Sequence, residues 1–165
     1  MIRVARDDDW EAIVEVHRRA FVKEPSVPTL VRELRRLELD VPSLAFVAVD
    51  DDRVVGNVMN SWVGIEGSDE KVLQLAPLGV LPEYQRRGHG GELVRASLDG
   101  VRALGEPLLL VEGNPAYYGR FGFVRADELG LLPPPGTPDW AFQVAVLEES
   151  APLPQGRVVY SSPFG

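Results

Sequence analysis

Gln85-Arg86-Arg87-Gly88-His89-Gly90-Gly91 is the stretch on which the reading of this 165-residue chain turns. It lies between an extended segment, Leu73 to Val80, and a helical one, Arg86 to Leu104, in which Val94, Leu98 and Val101 recur at i, i+4, i+7. Glycines at a helix start let backbone N–H groups approach an anion closely, and the helix dipole favours negative charge there. Arg86 and Arg87 add cationic donors suited to phosphate. The pattern predicts a phosphate or pyrophosphate site. It is not a Walker loop, because no Gly-Lys-Ser/Thr closes it, and it lacks the Gly-x-Gly-x-x-Gly spacing of a dinucleotide fold.

The flanks extend the same plan. Pro107 to Glu112 is almost wholly apolar and reads as a strand buried on both faces, beside the strand that precedes the helix. Upstream, Ile2 to Ala5 reads as a strand, and Asp7-Asp8-Asp9 favours a helix start. Trp10, Ile13, Val14, His17 and Phe21 line one face of a helix to about Val22, which Pro25 and Pro28 break. Leu30, Leu34, Leu37 and Val41 mark a second helix ending before Pro42. Leu44 to Val49 and Arg53 to Ile65 flank Asp50-Asp51-Asp52 as an antiparallel hairpin. Pro77 interrupts the strand Leu73 to Val80 and predicts a bulge or splayed pairing. A short helix, Ala116 to Phe121, and strands at Phe123 to Ala126 and Trp140 to Leu147 follow. The expectation is one α/β domain over 1–165, with a core of 1–147 and an irregular tail, 148–165, paired only at Val158 to Tyr160.

Composition removes other classes. Seventeen Lys+Arg against 25 Asp+Glu give a net charge of -8, and 45% of residues are hydrophobic. That is globular composition, and its acidity disfavours nucleic acid. With no cysteine there is no disulfide framework and no thiol nucleophile, and with two histidines a multi-His metal centre is not expected. The charged start, Ile2 to Asp9, is unlike a secretory signal, and no apolar run approaches the roughly 20 residues of a membrane span. A soluble, cytoplasmic protein without metal, membrane or nucleic-acid partner is expected. Of the segments 1–40, 41–72, 73–102, 103–126 and 127–165, only 73–102, with four basic and three acidic side chains, is net positive.

The Gln85–Gly90 stretch, approached through Val80-Leu81-Pro82-Glu83-Tyr84, resembles the Gln/Arg-x-x-Gly-x-Gly/Ala hallmark of the GNAT superfamily of acetyl-CoA-dependent N-acetyltransferases. Asn114-Pro115-Ala116-Tyr117-Tyr118-Gly119-Arg120-Phe121-Gly122-Phe123 is similar to a second family segment, in which an Asn after the fifth strand and a Tyr before Gly-Phe flank the cofactor thiol. The resemblance spans roughly 1–147 and is tightest over 78–123. It implies a GNAT fold, a mixed central sheet of about six or seven strands flanked by about four helices. It also implies an acyl-CoA-dependent N-acyltransferase that passes acetyl from acetyl-CoA to a primary amine, on a small molecule or peptide, by direct attack in a ternary complex. Homodimers are common in the family, although no pattern here specifies one.

By the same resemblance, backbone N–H groups from Arg86, Arg87, Gly88, His89, Gly90 and Gly91 hold the CoA pyrophosphate, with Gln85 opening the loop. Leu78, Gly79 and Val80 pair with pantetheine, the Leu78 N–H polarises the acetyl carbonyl, Asn114 hydrogen-bonds pantetheine, and Tyr118 protonates the leaving thiolate. A tyrosine of ordinary pKa about 10 stays protonated at neutral pH and can serve a thiolate whose conjugate acid lies near 8.5. Tyr118 is alternatively a core aromatic beneath the cofactor, and Tyr117 reads as packing. The amine must lose a proton, yet Leu73 to Val80 contains no carboxylate, a departure from some relatives. Glu66, Glu112 and His17 are the candidate bases, His17 being equally readable as a packed core residue. The missing strand carboxylate also fits a second reading, a catalytically silent CoA-binding or protein-interaction module of the same fold.

Overall fold

The computed structural model describes residues 1–160. Its strands are β1 (Ile2–Val4), β2 (Phe46–Asp50), β3 (Arg53–Ile65), β4 (Lys71–Val80), β5 (Leu108–Glu112), β6 (Val124–Arg125), β7 (Leu131–Leu132), β8 (Phe142–Val146) and β9 (Gly156–Val159). Its α-helices are α1 (Trp10–Ala20), α2 (Ser26–Arg36), α3 (His89–Ala103) and α4 (Pro115–Tyr118). The strand order is β1-β2-β3-β4-β5-β8-β6, with β9 pairing both β3 and β7. β4 and β5 run parallel, whereas β5–β8, β6–β8, β1–β2 and β2–β3 are antiparallel, so the sheet is mixed, as the sequence predicts. The chain divides into two compact units, one of Met1–Ser61 with Ala76–Gly100, the other of Trp62–Leu75 with the chain from Val101 onward.

In the first unit, α1 buries Ile13, Val16 and His17, and α2 buries Val27, Val31 and Leu34. The start of α1 is fixed by Asp9, whose carboxylate accepts from the Arg3 guanidinium at 2.7 and 3.0 Å and from the Arg6 N–H at 2.7 Å. The second helix differs from expectation at both ends. Helix α1 ends at Ala20, ahead of Pro25 and Pro28 as expected, and the two prolines also open the next helix. They occupy the N-cap and first turn of α2, where the missing N–H has no helical partner to lose. The helix stops at Arg36 rather than Val41, because Glu38 turns left-handed (φ 55°). Buried Asp40, paired with Arg35 at 3.0 Å, then bridges to Ser61. The hairpin forms as expected, with Asp51 and Asp52 at φ 50° and 61° supplying the left-handed turn that matches strand twist.

The second unit is built on Val72, Leu108, Leu110, Phe142 and Val144, whose spacing of two puts them on one sheet face with Val63, Ile65, Leu131 and Val158. The tail is more ordered than the irregular one expected. β9 pairs Val158 with Ile65 and Val159 with Gly64, and Tyr160 packs against the cluster. The tail's last five positions, 161–165, lie outside the described residues. The pairing expected at Val158 to Tyr160 is met at Val158 and Val159, whereas β7 and the start of β9 are stretches that the sequence reading did not separate from loop, because two residues carry too little periodicity.

Phe142 is among the largest fully buried side chains. Phe142→Ala is expected to cost about 3–5 kcal/mol, read as a lowered urea midpoint at unchanged slope. A shift under about 1 kcal/mol would show that this cluster does not hold the unit together.

Candidate active site

The glycine-containing loop belongs to the first unit. Arg86 and Gly88 both adopt left-handed backbone (φ 64° and 89°), which a right-handed helix cannot include, and α3 therefore begins at His89 rather than Arg86. The first helical bond runs from the Glu92 N–H to the Gly88 carbonyl at 3.0 Å. The preceding N–H groups, those of His89, Gly90 and Gly91 among them, have no intrahelical acceptor. A Cβ at Gly88 would meet nothing within 4 Å, so glycine is needed there for its φ and not for space. Gln85 ties the loop back to β4 by donating from Nε2 to the Val80 carbonyl at 3.0 Å. Arg87 lies over the Tyr84 ring at 5.0 Å. The His89 ring is turned towards Asp50, with Nε2 3.4 Å from Oδ2, so this residue offers the loop its backbone.

Gly79 answers a different constraint. A Cβ there would stand 2.8 Å from Nδ1 of His17 and 3.3 Å from Phe21, so the strand tolerates no side chain at that position. The Leu78 and Val80 side chains on either side are half-buried. Asn57 donates from Nδ2 to the Phe46 carbonyl at 2.9 Å, which turns its Oδ1 to His17 Nε2 at 2.7 Å. The proton of the imidazole therefore sits on Nε2, and Nδ1 is a bare acceptor with no hydrogen-bond partner. Burial holds the His17 pKa down to about 4 against the opposing bond from Asn57. Of its two readings, the packed histidine matches this geometry. The parallel register of β4 with β5 is Leu73↔Leu109, Gln74↔Leu110 and Leu75↔Val111, and it ends before Pro77, while β4 continues to Val80.

Asn114 and Tyr118 lie in the second unit. Asn114 caps α4, its Oδ1 accepting from the Ala116 N–H at 2.9 Å. Gly113 is pinned by its N–H to the Ala141 carbonyl at 2.9 Å and by Gln143 Nε2, which donates to its carbonyl at 3.2 Å. The Tyr118 ring lies against it so closely that a Cβ on Gly113 would fall 2.5 Å from Cε2. Tyr117 and Phe123 meet the Tyr118 ring edge-on at 5.0 and 5.6 Å. Burial, and secondarily Tyr117, push the Tyr118 hydroxyl well above the ordinary tyrosine range, so it is a proton donor at every working pH.

Of the other candidate bases, Glu66 is exposed on the turn after β3. Glu112 is exposed at the end of β5, where it accepts from Thr137 Oγ1 at 3.2 Å. The sequence reading did not single out Asn57, Gln74 or Tyr160. Gln74 donates to the Tyr160 hydroxyl at 2.7 Å. The available signal was an amide within an apolar strand run, since a buried amide demands a partner. Among the described residues no cluster of three or more His, Asp or Glu side chains is arranged to hold a metal. No helix there is long and apolar enough to cross a membrane.

The model of the acetyltransferase (GNAT) domain matches residues 1–126, and the chain belongs to that family. The uncharacterized N-acetyltransferase YhbS of Escherichia coli K12 is 36% identical over 153 residues, spanning 92% of this chain and 89% of that protein. The crystal structure of YhbS in complex with CoA matches with a TM-score of 0.90 at 34% identity, over 99% of this chain and 91% of that one. A GNAT acetyltransferase from Brucella melitensis in complex with acetyl-CoA matches with a TM-score of 0.83 at 29% identity, over 100% and 97%.

The buried imidazole makes a pH prediction. His17 is neutral when folded down to about pH 4, and an unfolded histidine protonates near 6.5. Its contribution is therefore complete above about pH 6.5 and is lost as pH falls towards 4, by about 2 kcal/mol between about pH 7 and 5. Urea unfolding at both pH values should show His17→Gln losing that part of the decline. Equal declines in the two proteins would contradict it.

Proposed function

We propose that this chain is an acetyl-CoA-dependent N-acetyltransferase that transfers acetyl directly to a primary amine, with both units working as one acetyltransferase domain. The observation that carries the reading is the left-handed turn at Arg86 and Gly88 that opens α3 on unpaired N–H groups. Such a turn suits a pyrophosphate. Support also comes from the relatives of similar structure that bind CoA and acetyl-CoA.

Acetyl-CoA supplies an activated thioester. Arg86 to Gly91 bind its pyrophosphate through backbone N–H groups, with the Arg86 and Arg87 side chains exposed to add charge. Leu78, Gly79 and Val80 offer strand backbone to pantetheine, and the His17 ring keeps Gly79 bare. The Leu78 N–H stabilises the charge that develops on the acetyl oxygen. Asn114, its Oδ1 engaged in the cap, has its amide NH2 for pantetheine. Tyr118, kept neutral by burial, donates its proton to the developing charge on the departing thiolate, and the proton that the attacking amine loses on forming the amide restores the tyrosine. The chain has no cysteine to carry acetyl, so the amine attacks the thioester itself.

Isothermal titration with acetyl-CoA tests the reading, with saturable binding in the micromolar range expected. Absence of binding below millimolar rejects it. Tyr118→Phe should lower kcat by about 100-fold with cofactor affinity unchanged, and an unaltered kcat would remove the hydroxyl from the mechanism.

A further inference from the structure

The cleft between helices α1 and α2 is lined by four arginines, and one of them has no counter-charge. Arg18 is paired with Glu15 at 2.6 Å, Arg35 with Asp40 at 3.0 Å and Arg36 with Glu33 at 2.6 Å. Arg32 has no carboxylate, hydrogen-bond or ring partner among the described residues, although it lines both halves of the cleft. A guanidinium set between apolar walls without a partner has its donors free for an incoming anion.

The two halves of the cleft differ in charge. The half towards Trp10 also carries Glu11, whose carboxylate repels an anion. The half towards Phe21 is a cavity of about 380 Å³, and no acidic side chain lines it. Its walls are Val14, Phe21, Val22, Pro25 and Pro28, and Val22 is 73% exposed. An aliphatic side chain left in water beside apolar neighbours gains when a ligand covers it. The Phe21 wall is preformed, since its ring stacks on His17 at 5.9 Å and packs towards β4, where a Cβ on Gly79 would stand 3.3 Å away. On α2, Thr29 and Arg32 are one turn apart and line the cavity together. The Thr29 hydroxyl has no hydrogen-bond partner among the described residues.

We propose that the Phe21 half of this cleft binds a small monocarboxylate with an apolar body, at a site separate from the loop and strand assigned to acetyl-CoA. The Arg32 guanidinium and the Thr29 hydroxyl donate to the carboxylate oxygens, and the aliphatic or aromatic body lies on Phe21, Val22 and Pro25. An ammonium there would face Arg32 with no acidic group to offset it, and a neutral body alone would leave the guanidinium unanswered. The cavity has the size of a small-molecule pocket and offers far less surface than a stable protein partner needs. The inference stands apart from the acetyltransferase reading, since none of these residues holds the cofactor or gives the proton.

Nuclear magnetic resonance titration of the full chain tests the site. Hexanoate and phenylacetate are the carboxylates, hexanol stands for the apolar body alone, hexylammonium for the opposite charge, and acetyl-leucyl-leucine for a peptide C-terminus. Saturable shifts of the Phe21 ring, the Val22 methyls and the Thr29 amide are expected with at least one small carboxylate, at about tenfold lower Kd than with hexanol or hexylammonium. Arg32→Gln, a change at an exposed residue, should raise that Kd by about tenfold, while Arg36→Gln, outside this cavity, should leave it within about twofold. No saturable shift, equal binding of hexanol, an unchanged Kd in Arg32→Gln or an equal loss in Arg36→Gln overturns the proposal. So does tighter binding of acetyl-leucyl-leucine, which makes the occupant a peptide end. Shifts at Phe21 and Val22 that grow with protein concentration and no probe make it a second copy, and likewise overturn it.

Discussion

The parallel pairing of β4 with β5 is the constraint from which the functional geometry follows. Parallel neighbours cannot be joined by a tight turn, so the chain must cross over through a helix, here α3. Each strand then ends in a loop at its carboxyl end, where open α/β sheets concentrate their chemistry. After β4 comes the Arg86–Gly91 turn. After β5 come Gly113, Asn114 and Tyr118. The register ends at Leu75↔Val111, so the last residues of β4, Ala76 to Val80, lie beyond the stretch paired with β5.

Glycine enforces this arrangement in three physically different ways. Gly88 supplies a left-handed φ that stops α3 from starting early. Gly79 makes room for a buried, neutral imidazole. Gly113 admits the Tyr118 ring while its own backbone is held between the β5 and β8 edges. Only the first of these is a matter of backbone conformation. The other two are close approaches that a methyl group would block, and the residues making the approach are distant in sequence from the glycine or across a turn from it.

Much of this plan was legible in the chain. Gln85 to Gly91 between a strand and a helix, with Asn114 to Phe123 about thirty residues on, carried both the family and the placement of its loops. These motifs are local, and their chemistry depends on spacings of a few residues. Pro25 and Pro28 marked the end of the first helix but not the start of the second, because proline is a breaker inside a helix and a favoured residue in its first turn, and the apolar rhythm from Leu30 does not reach back to them. The end of the second helix misled because Leu37 and Val41 continue the apolar rhythm past the left-handed Glu38.

The sequence by itself determined the elements whose signal is local: the α/β order, the glycine-containing turn before α3, and the short helix that follows Asn114. The tertiary structure alone decided which polar side chains are shared between distant segments. His17 meets Asn57 across 40 residues, and Gln74 meets Tyr160 across 86. The physical reason is that a buried amide or imidazole needs a hydrogen-bond partner but does not specify which one. That choice is made by strand register and by where the tail folds, neither of which is written in any short stretch of the chain.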